Sequence, residues 1–303
     1  MVVDRRLVIF SLFLLTSLAY GNTLFNDFVW DDQAFIVKNP FIRHFKYISD
    51  FFHKNLNDLS SWGRGFDIYY RPLFLMSFML DYQLWDLNPF FFHLHNVFLH
   101  FLCAVLIFYF AREIFEDDFF ATVSAILFCL HPLHTEPVSA VFNRRDIVVT
   151  CLMLGSFLSY AKFLKGQKNK IILYGLSLVL FFIALLTKEL AVMLPFILLT
   201  YDYYFVERNA KNLILHRWPY IFGFGIVLTI YVSMRMAVLN QFTLGYTQKA
   251  MYSSFQYTDF PLLQIYIIFQ SLFVYFSKVA LPINLNLIIP CGLATGIPYV
   301  GKV

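Results

Sequence analysis

HLHNVFLHFLCAVLIFYFA, residues 93–111, contains no Asp, Glu, Lys or Arg and is almost long enough to cross a membrane. An α-helix needs about 20 apolar residues to span the hydrocarbon core of a bilayer. Similar runs recur along the chain, which has 303 residues and is 59% hydrophobic but only 14% charged. Soluble domains average about 25% charged residues. The sequence therefore predicts an all-α polytopic membrane protein.

Other classes fit the composition poorly. A transmembrane β-barrel would show alternating apolar and polar residues, whereas these runs are continuously apolar. The net charge of +4 is ordinary for cytoplasmic loops, and no nucleic-acid partner is expected. Of the four cysteines, Cys103, Cys129 and Cys151 lie in apolar runs, Cys291 lies near the end, and none forms a C-x-x-C pair. They read as thiols buried in the core or facing lipid.

Apolar length and flanking charge predict eight helices, at about 7–24, 93–111, 119–134, 147–164, 171–187, 190–206, 218–235 and 262–280. Arg5 and Arg6 precede the first helix and place the N-terminus in the cytoplasm. That helix lacks a clear small-x-small cleavage site after it, which favours an uncleaved helix over a signal peptide. The Lys and Arg counts of the two sides are nearly equal, so the first helix and the short loops decide the orientation.

A long loop from about residue 25 to residue 92 is predicted on the outer face. Apolar residues at helical spacing indicate an interfacial amphipathic helix from Phe41 to Phe52. RPLFLMSFMLDYQLW, residues 71–85, places Pro72 where a first helical turn tolerates it. This stretch is too short to span comfortably and indicates a juxtamembrane or re-entrant helix. The three prolines after Leu281 predict an irregular segment or the start of a further span.

With this topology, ionisable residues from five segments collect at the outer ends of the helices. Such groups near hydrocarbon are costly and are functional candidates. The set is Asp31, Asp32, Arg71, His131, His134, Glu136, Arg144, Arg145, Asp146, Lys188, Glu189 and Arg235.

Asp31 and Asp32 could begin a hydrated loop, cap a following helix, or act as a general base and its helper. Two adjacent carboxylates repel each other, so one would keep a proton or hold a cation. The turn NRRD, residues 143–146, could be solvated or could bind an anion, since guanidinium groups grip phosphate bidentately. Lys188 and Glu189 could pair with each other or complete the same site.

HPLHTEPV, residues 131–138, contains side chains that ligate zinc by residue type, and Asp31 could join His131 and His134 as a ligand. The spacing is not the H-E-x-x-H of metalloproteases, and hydrogen bonding to substrate or to neighbouring loops is favoured over a metal. A bound divalent metal is therefore not favoured, and no other cofactor is indicated. His93, Asn96 and His100 share one face of the second helix and are expected to bond to neighbouring helices.

The motifs FVWDD, YYRPL, NPFFFHLHN, HPLHTEPV, NRRD and KE occur here in that order. In this order they resemble the membrane half of transmembrane O-mannosyltransferases that carry tetratricopeptide repeats, a family with bacterial relatives. The fold of that family is similar to that of GT-C glycosyltransferases. The resemblance covers about residues 7–303 as a single domain. The repeats are absent from these residues, which predicts a fragment or a shortened relative.

The resemblance implies that Asp31 or Asp32 occupies the position of the family's catalytic acidic residue, with Asp31 preferred as the base. Arg144 and Asp146 match a G-R-A-D-type turn, in which Asn143 here replaces the Gly and Arg145 a small residue. Asp86 stands where a Gly is usual.

The implied reaction transfers a sugar, expected to be mannose, from a polyprenyl- or dolichyl-phosphate donor to a Ser or Thr hydroxyl of a protein acceptor, with inversion. The donor phosphate would be bound by Arg144, Arg145, Lys188 and Arg235. Supporting residues would be Arg71, His131, His134, Glu136, Asp146 and Glu189. Membrane lipids are the remaining expected partners.

Two other classes place charged residues among helices, namely transporters or flippases of lipid-linked substrates and scaffolds without chemistry. A transporter would show inverted repeats and helices broken at the midplane, and neither is evident. A scaffold predicts that the polar loops are dispensable. The sequence contains no N-x-[ST] sequon, which favours a bacterial inner membrane over the endoplasmic reticulum membrane.

Overall fold

The computed structural model describes residues 4–61, 69–166, 168–209, 217–239 and 261–283, together with residue 285. Throughout these ranges the regular secondary structure is helical. The prediction of an all-α polytopic membrane protein is confirmed. Cys291 and nearly all of the segment predicted to be irregular after Leu281 lie outside the described residues.

The α-helices of the described ranges include all eight predicted helices and three others, which are Ile48–His53, Pro72–Trp85 and Thr135–Ser139. They are α1 (Arg5–Tyr20), α2 (Ile48–His53), α3 (Pro72–Trp85), α4 (Pro89–Phe115), α5 (Asp118–Leu130), α6 (Thr135–Ser139), α7 (Arg144–Leu164), α8 (Lys170–Thr187), α9 (Leu194–Tyr201), α10 (Trp218–Leu239) and α11 (Pro261–Ala280). Short 3₁₀ or π turns extend α1 to Phe25, precede α7 from Val141, and lengthen α9 to Glu189–Glu207.

Six described helical segments are long and apolar enough to cross a membrane. They are Arg5–Phe25, Pro89–Phe115, Val141–Leu164, Lys170–Thr187, Glu189–Glu207 and Trp218–Leu239. The predicted helix at 119–134 is shorter than expected, because α5 ends at Leu130 and Pro132 follows in a separate 3₁₀ turn. At about 1.5 Å per residue, α5 is too short to cross the bilayer upright.

Small polar residues hold α7 and α8 together. The Ser156 hydroxyl donates to the Ser177 carbonyl at 2.7 Å, and the Ser177 hydroxyl donates to the Ser156 carbonyl at 2.8 Å. Both serines are fully buried. Apolar lipid gives helices little hydrophobic reason to associate, so close approach at small residues and hydrogen bonds between helices become important.

Helix α4 packs against α1, α5 and α7 and is central to this group of four helices. Its predicted interhelical role is confirmed for Asn96, which donates to the Val138 carbonyl at 3.3 Å, and for His100, which bonds to the Cys129 carbonyl at 3.1 Å. Cys103, Cys129 and Cys151 are buried between helices, as expected for core thiols.

The long loop before α4 has an apolar core of its own, built mainly from residues 34–59, α3 and the turn before α7. The predicted amphipathic helix from Phe41 to Phe52 is wrong as a continuous element. His44 is extended and separates two 3₁₀ turns, and only Ile48–His53 is α-helical. Ile42 and Phe51 are fully buried in the loop core, so this apolar face packs on protein.

Asp86 ends α3 with φ 52° and ψ −142°. A side chain is disfavoured at this backbone conformation, whereas glycine adopts it readily. The geometry therefore accounts for the glycine expected at this position from the resemblance.

Gly223 allows α10 to lie against Tyr174 of α8. A Cβ at Gly223 would sit 2.0 Å from the Tyr174 hydroxyl, which donates to the Tyr220 carbonyl at 2.8 Å. We expect Gly223→Ala to lower the melting temperature in detergent by the equivalent of about 1–3 kcal/mol, because overpacking would displace the tyrosine. Gly225→Ala is the matched control, since nothing lies within 4 Å of its added Cβ. Equal melting temperatures for the two variants would contradict this packing.

Candidate active site

The predicted polar residues meet at one end of the bundle, which we call the loop end. Helices α1, α8 and α10 finish there, and α4 and α7 begin there. Hydrogen bonds and ion pairs across this end join the long loop to α4, α7 and the turn after α8.

Asp32 joins the long loop to the turn before α7. Its side chain is fully buried. Oδ1 accepts a hydrogen bond from the Phe142 backbone N–H at 2.7 Å, and Oδ2 accepts one from the Val29 N–H at 3.1 Å. Burial raises the pKa of Asp32, while these backbone donors and the Val141 N–H oppose the rise. Asp32 therefore has a structural role in this geometry.

Asp31 is the other member of the pair and is only half-buried. In the part of the chain that the structure describes, its carboxylate makes neither a hydrogen bond nor an ion pair. Burial raises the pKa of Asp31 above its ordinary value, and the positive charge of Arg145 partly offsets that rise. A half-exposed carboxylate with a raised pKa is suited to accept a proton from a bound ligand.

Arg144 is fully buried and connects α7 to α3 and α4. Its Nη1 pairs with Asp81 Oδ2 at 2.5 Å, and its Nε donates to Asn96 Oδ1 at 2.7 Å. Nη2 donates to the Phe92 carbonyl at 3.0 Å. Because Arg144 has no exposed surface, these contacts favour a structural role over the predicted phosphate-binding role.

Arg145 faces the candidate site instead. Its guanidinium lies 4.1 Å from the centre of the Phe142 ring, and Nη2 donates to Asn143 Oδ1 at 2.9 Å. Asp146 lies between two cations, with Oδ2 3.7 Å from Arg145 Nε and Oδ1 paired with Lys188 Nζ. Both cationic side chains are partly exposed, so this arrangement can receive an anion.

Arg71 and Glu189 form a bidentate pair that fixes the turn after α8. Arg71 Nη2 lies 2.6 Å from Glu189 Oε1, and Nε donates to Oε2 at 3.0 Å. Arg235 is buried near the end of α10, where it interacts with Glu189 and with the Tyr231 hydroxyl. Tyr231 in turn packs near Tyr70. Of the two alternatives for Lys188 and Glu189, pairing with each other is not observed, since Lys188 pairs with Asp146 and Glu189 pairs with Arg71.

The histidines of HPLHTEPV bond to backbone groups. His131 Nε2 donates to the Val279 carbonyl of α11 at 3.0 Å, and Nδ1 accepts from the Leu133 N–H at 3.2 Å. His134 Nδ1 donates to the Phe128 carbonyl at 2.7 Å, and burial lowers the pKa of His134. Glu136 accepts from Asn143, which links it indirectly to Arg145.

No group of three or more His, Cys, Asp and Glu side chains comes together as a metal-ligand set among the described residues. In particular, Asp31, His131 and His134 do not form one. The residues that do meet are Asp31, Arg145, Asp146 and Lys188, with Asp32 and the Arg71–Glu189 pair supporting them.

Asp81, the partner of Arg144, was not among the residues predicted from the sequence. Its signal was a lone carboxylate within the apolar stretch RPLFLMSFMLDYQLW, where an unpaired charge would be costly. Asn143 was also missed as the residue that connects Glu136 with Arg145.

An all-α membrane protein with acidic and basic side chains gathered at one end of its bundle is the class that the fold and the site define. Residues 72–235 match the profile of the dolichyl-phosphate-mannose-protein mannosyltransferases. Because that match covers more than half of the chain, the chain belongs to this family.

Several curated proteins are similar to the chain over part of its length. It is 36% identical over 211 residues to Protein O-mannosyl-transferase TMTC1 of Mus musculus, covering 65% of this chain and 22% of that protein. It is 31% identical over 202 residues to Protein O-mannosyl-transferase TMTC3 of Homo sapiens, covering 64% and 21%. It is 32% identical over 185 residues to Protein O-mannosyl-transferase Tmtc2 of Drosophila melanogaster, covering 57% of this chain and 19% of that protein. The chain thus spans about a fifth of the length of these relatives. No solved structure matches it.

Arg144 and Arg145 should respond differently to loss of charge. Arg144→Gln removes the cation that pairs with Oδ2 of the buried Asp81 and leaves that carboxylate with His95 alone, whose Nδ1 lies 2.7 Å from Oδ1. Breaking a buried ion pair costs about 3–5 kcal/mol. We expect a large fall in the melting temperature of the purified protein. Arg145→Gln is the matched control and should melt near the wild-type temperature.

The double variant Asp81→Asn/Arg144→Gln removes both charges and should recover part of the lost stability. If Arg144→Gln melts like the wild type, Arg144 is not the structural residue described here.

Proposed function

We propose that the chain is a membrane glycosyltransferase that moves a sugar, mannose by preference, from a polyprenyl- or dolichyl-phosphate donor to a protein Ser or Thr hydroxyl. Membership of the mannosyltransferase family supports the reaction type. The observation that carries the assignment of roles is the contrast between Asp31 and Asp32. The Asp32 carboxylate accepts hydrogen bonds from two backbone N–H groups, whereas the Asp31 carboxylate is half-exposed beside Arg145.

In the proposed reaction, Asp31 is the general base. The acceptor hydroxyl oxygen attacks C1 of the sugar and forms the new glycosidic bond, while its proton passes to the Asp31 carboxylate. The bond between C1 and the donor phosphate oxygen breaks, and its electron pair leaves with the lipid phosphate. Because attack comes from the face opposite the phosphate, the configuration at C1 is inverted, as in inverting glycoside chemistry.

Arg145 and Lys188 are the proposed phosphate-binding residues. The leaving phosphate gains negative charge as the bond breaks, and fixed cations can stabilise that charge without reorganising. Asp146 pairs with Lys188 and lies beside Arg145, so it holds both cations in place before the donor arrives. Arg235 interacts with Glu189 and with the Tyr231 hydroxyl, and we assign it a supporting role behind Arg145 and Lys188. Arg71 and Glu189 have the same supporting role.

The donor's lipid tail would lie among the helices, with its phosphate at the loop end. We propose that this end faces the outer or luminal side, which the basic residues before α1 support. The membrane is proposed to be a bacterial inner membrane, as the lack of an N-x-[ST] sequon favours, with the endoplasmic reticulum membrane as the alternative.

The first test is sugar transfer by the full chain in nanodiscs, with radiolabelled dolichyl-phosphate mannose or polyprenyl-phosphate mannose and a Ser/Thr-rich peptide. Asp31→Asn should reduce the rate by about 100-fold or more, because general-base catalysis contributes roughly 10²–10⁴-fold. Its donor affinity and melting temperature should stay near those of the wild type. Asp32→Asn should instead lower the melting temperature, because an amide nitrogen would face a backbone N–H donor.

Asp27→Asn is the matched control, since Asp27 is an exposed carboxylate in the same segment and its loss should leave transfer unchanged. Full activity in Asp31→Asn would remove the proposed base. Donor that binds and crosses the bilayer without being cleaved would instead indicate a flippase.

The pH profile tests the proximity of Asp31 and Arg145. Transfer needs the deprotonated carboxylate, so the rate should rise with pH through the pKa of Asp31, which burial raises above the usual value of about 3.9. The Arg145 charge opposes that rise. Arg145→Gln should therefore raise the pKa of Asp31 further and move the acidic limb of the normalised rate profile to higher pH.

Lys188→Gln is the control for this shift. Lys188 is not among the groups that set the pKa of Asp31, so its variant should lose rate without moving the acidic limb. Acidic limbs at the same pH in wild type and Arg145→Gln would show that Asp31 is not the titrating base.

A further inference from the structure

Trp30, the residue before the proposed base, has an unusual backbone conformation. Its φ is 49°, in the left-handed region that bulky L-residues rarely adopt. Hydrogen bonds on both sides hold it there. The Asp32 N–H donates to the Val29 carbonyl at 2.9 Å, and the Gln33 N–H donates to the Trp30 carbonyl at 3.1 Å.

The indole of Trp30 is also exposed. The residue is 72% exposed, and its ring has no aromatic or cationic neighbour in the described part of the chain. The residues around it are packed, since Phe28 lies edge-on to Phe92 at 5.2 Å and Asp32 is fully buried. The loop therefore packs Phe28 and Asp32 inward, while Trp30 and the 49% exposed Val29 between them face outward.

Trp30 and Asp31 are held by the same contact. The Asp32 carboxylate accepts from the Val29 N–H on one side of them and from the Phe142 N–H of the α7 turn. Strained backbone persists only where its surroundings enforce it, and it concentrates at functional sites. An exposed aromatic ring on strained backbone next to a candidate base points to a ligand that the ring contacts.

The position of the cations indicates which ligand this is. Arg145 packs on Phe142 at 4.1 Å and lies over Phe74 at 5.8 Å, and it makes no ring contact with Trp30. Tryptophan is the strongest cation–π partner, so a ring on the phosphate side would be expected to meet Arg145. In an inverting displacement the acceptor and the phosphate lie on opposite faces of C1. A ring that directly precedes the proposed base and makes no contact with Arg145 is thus better placed to meet the acceptor than the phosphate.

We propose that Trp30 binds the acceptor peptide, with the indole packing against the backbone and side chains that flank the Ser or Thr. This inference rests on the proposed transferase function. Tryptophan suits the role, because it offers a large rigid surface and loses little conformational entropy on binding. The other reading is an indole anchor in the lipid interface. Such an anchor requires neither left-handed backbone nor a neighbouring base.

The test compares Trp30→Ala, Trp30→Phe and the wild type in the transfer assay, with donor and acceptor peptide varied separately. Trp30→Ala should raise KM for the peptide about 10-fold, with KM for the donor unchanged and kcat at saturating peptide within about 2-fold. Trp30→Phe should be intermediate. Phe45→Ala is the control, because Phe45 is an exposed aromatic residue of the same long loop and should leave both KM values unchanged.

Trp30→Gly separates binding from a structural role. Glycine adopts a positive φ without strain, so this variant should melt at the wild-type temperature or above while its peptide KM rises. A lower melting temperature together with an unchanged peptide KM would make Trp30 a structural residue and overturn the inference.

Two further outcomes separate this inference from the proposed function. If the wild type transfers mannose and Trp30→Ala has an unchanged peptide KM, only the role of Trp30 is overturned. Quenching of wild-type but not Trp30→Phe fluorescence by brominated phospholipids, together with that unchanged KM, would assign Trp30 to the membrane. If the wild type transfers no sugar from either donor, the proposed function fails and the role of Trp30 fails with it.

Discussion

The contact between the Asp32 carboxylate and the Phe142 backbone N–H connects the two segments from which the candidate site is built. It joins the first long loop to the start of α7, and these segments are 110 residues apart in the chain. On the loop side of this contact are Trp30 and Asp31. On the helix side are Arg145 and Asp146. Burying a carboxylate is costly unless it is hydrogen-bonded, and backbone N–H groups supply the hydrogen bonds without adding flexible side chains.

The site uses the same arrangement twice. In each of two adjacent pairs of like residues, one member is fully buried and structural, and the other is partly exposed and faces the site. Arg144 and Arg145 are about 100° apart around the first turn of α7, so one points into the interface with α3 and α4 and the other toward Asp31. Different surroundings thereby give two identical side chains different roles. The structural member of each pair fixes the position of its neighbour.

The apolar runs predicted the helices well, because length and composition alone decide which segments can cross a bilayer. The meeting of Asp31, Arg145, Asp146 and Lys188 at one end was also predictable from topology. The different roles of the two members of each pair were not predictable, since they depend on Asp81 and Phe142, which are distant in sequence. The amphipathic pattern from Phe41 to Phe52 was misread because the long loop has a core of its own, against which Ile42 and Phe51 pack.

Chemical rescue of the Asp31→Ala variant by formate tests the central claim most directly. The variant would be assayed in nanodiscs with dolichyl-phosphate mannose and acceptor peptide at increasing formate concentration. If Asp31 is the general base, formate should occupy the vacated space and restore transfer in a concentration-dependent way, while Asp32→Ala gains nothing. Absence of rescue in an Asp31→Ala protein that still binds donor, or rescue of Asp32→Ala instead, would contradict the account.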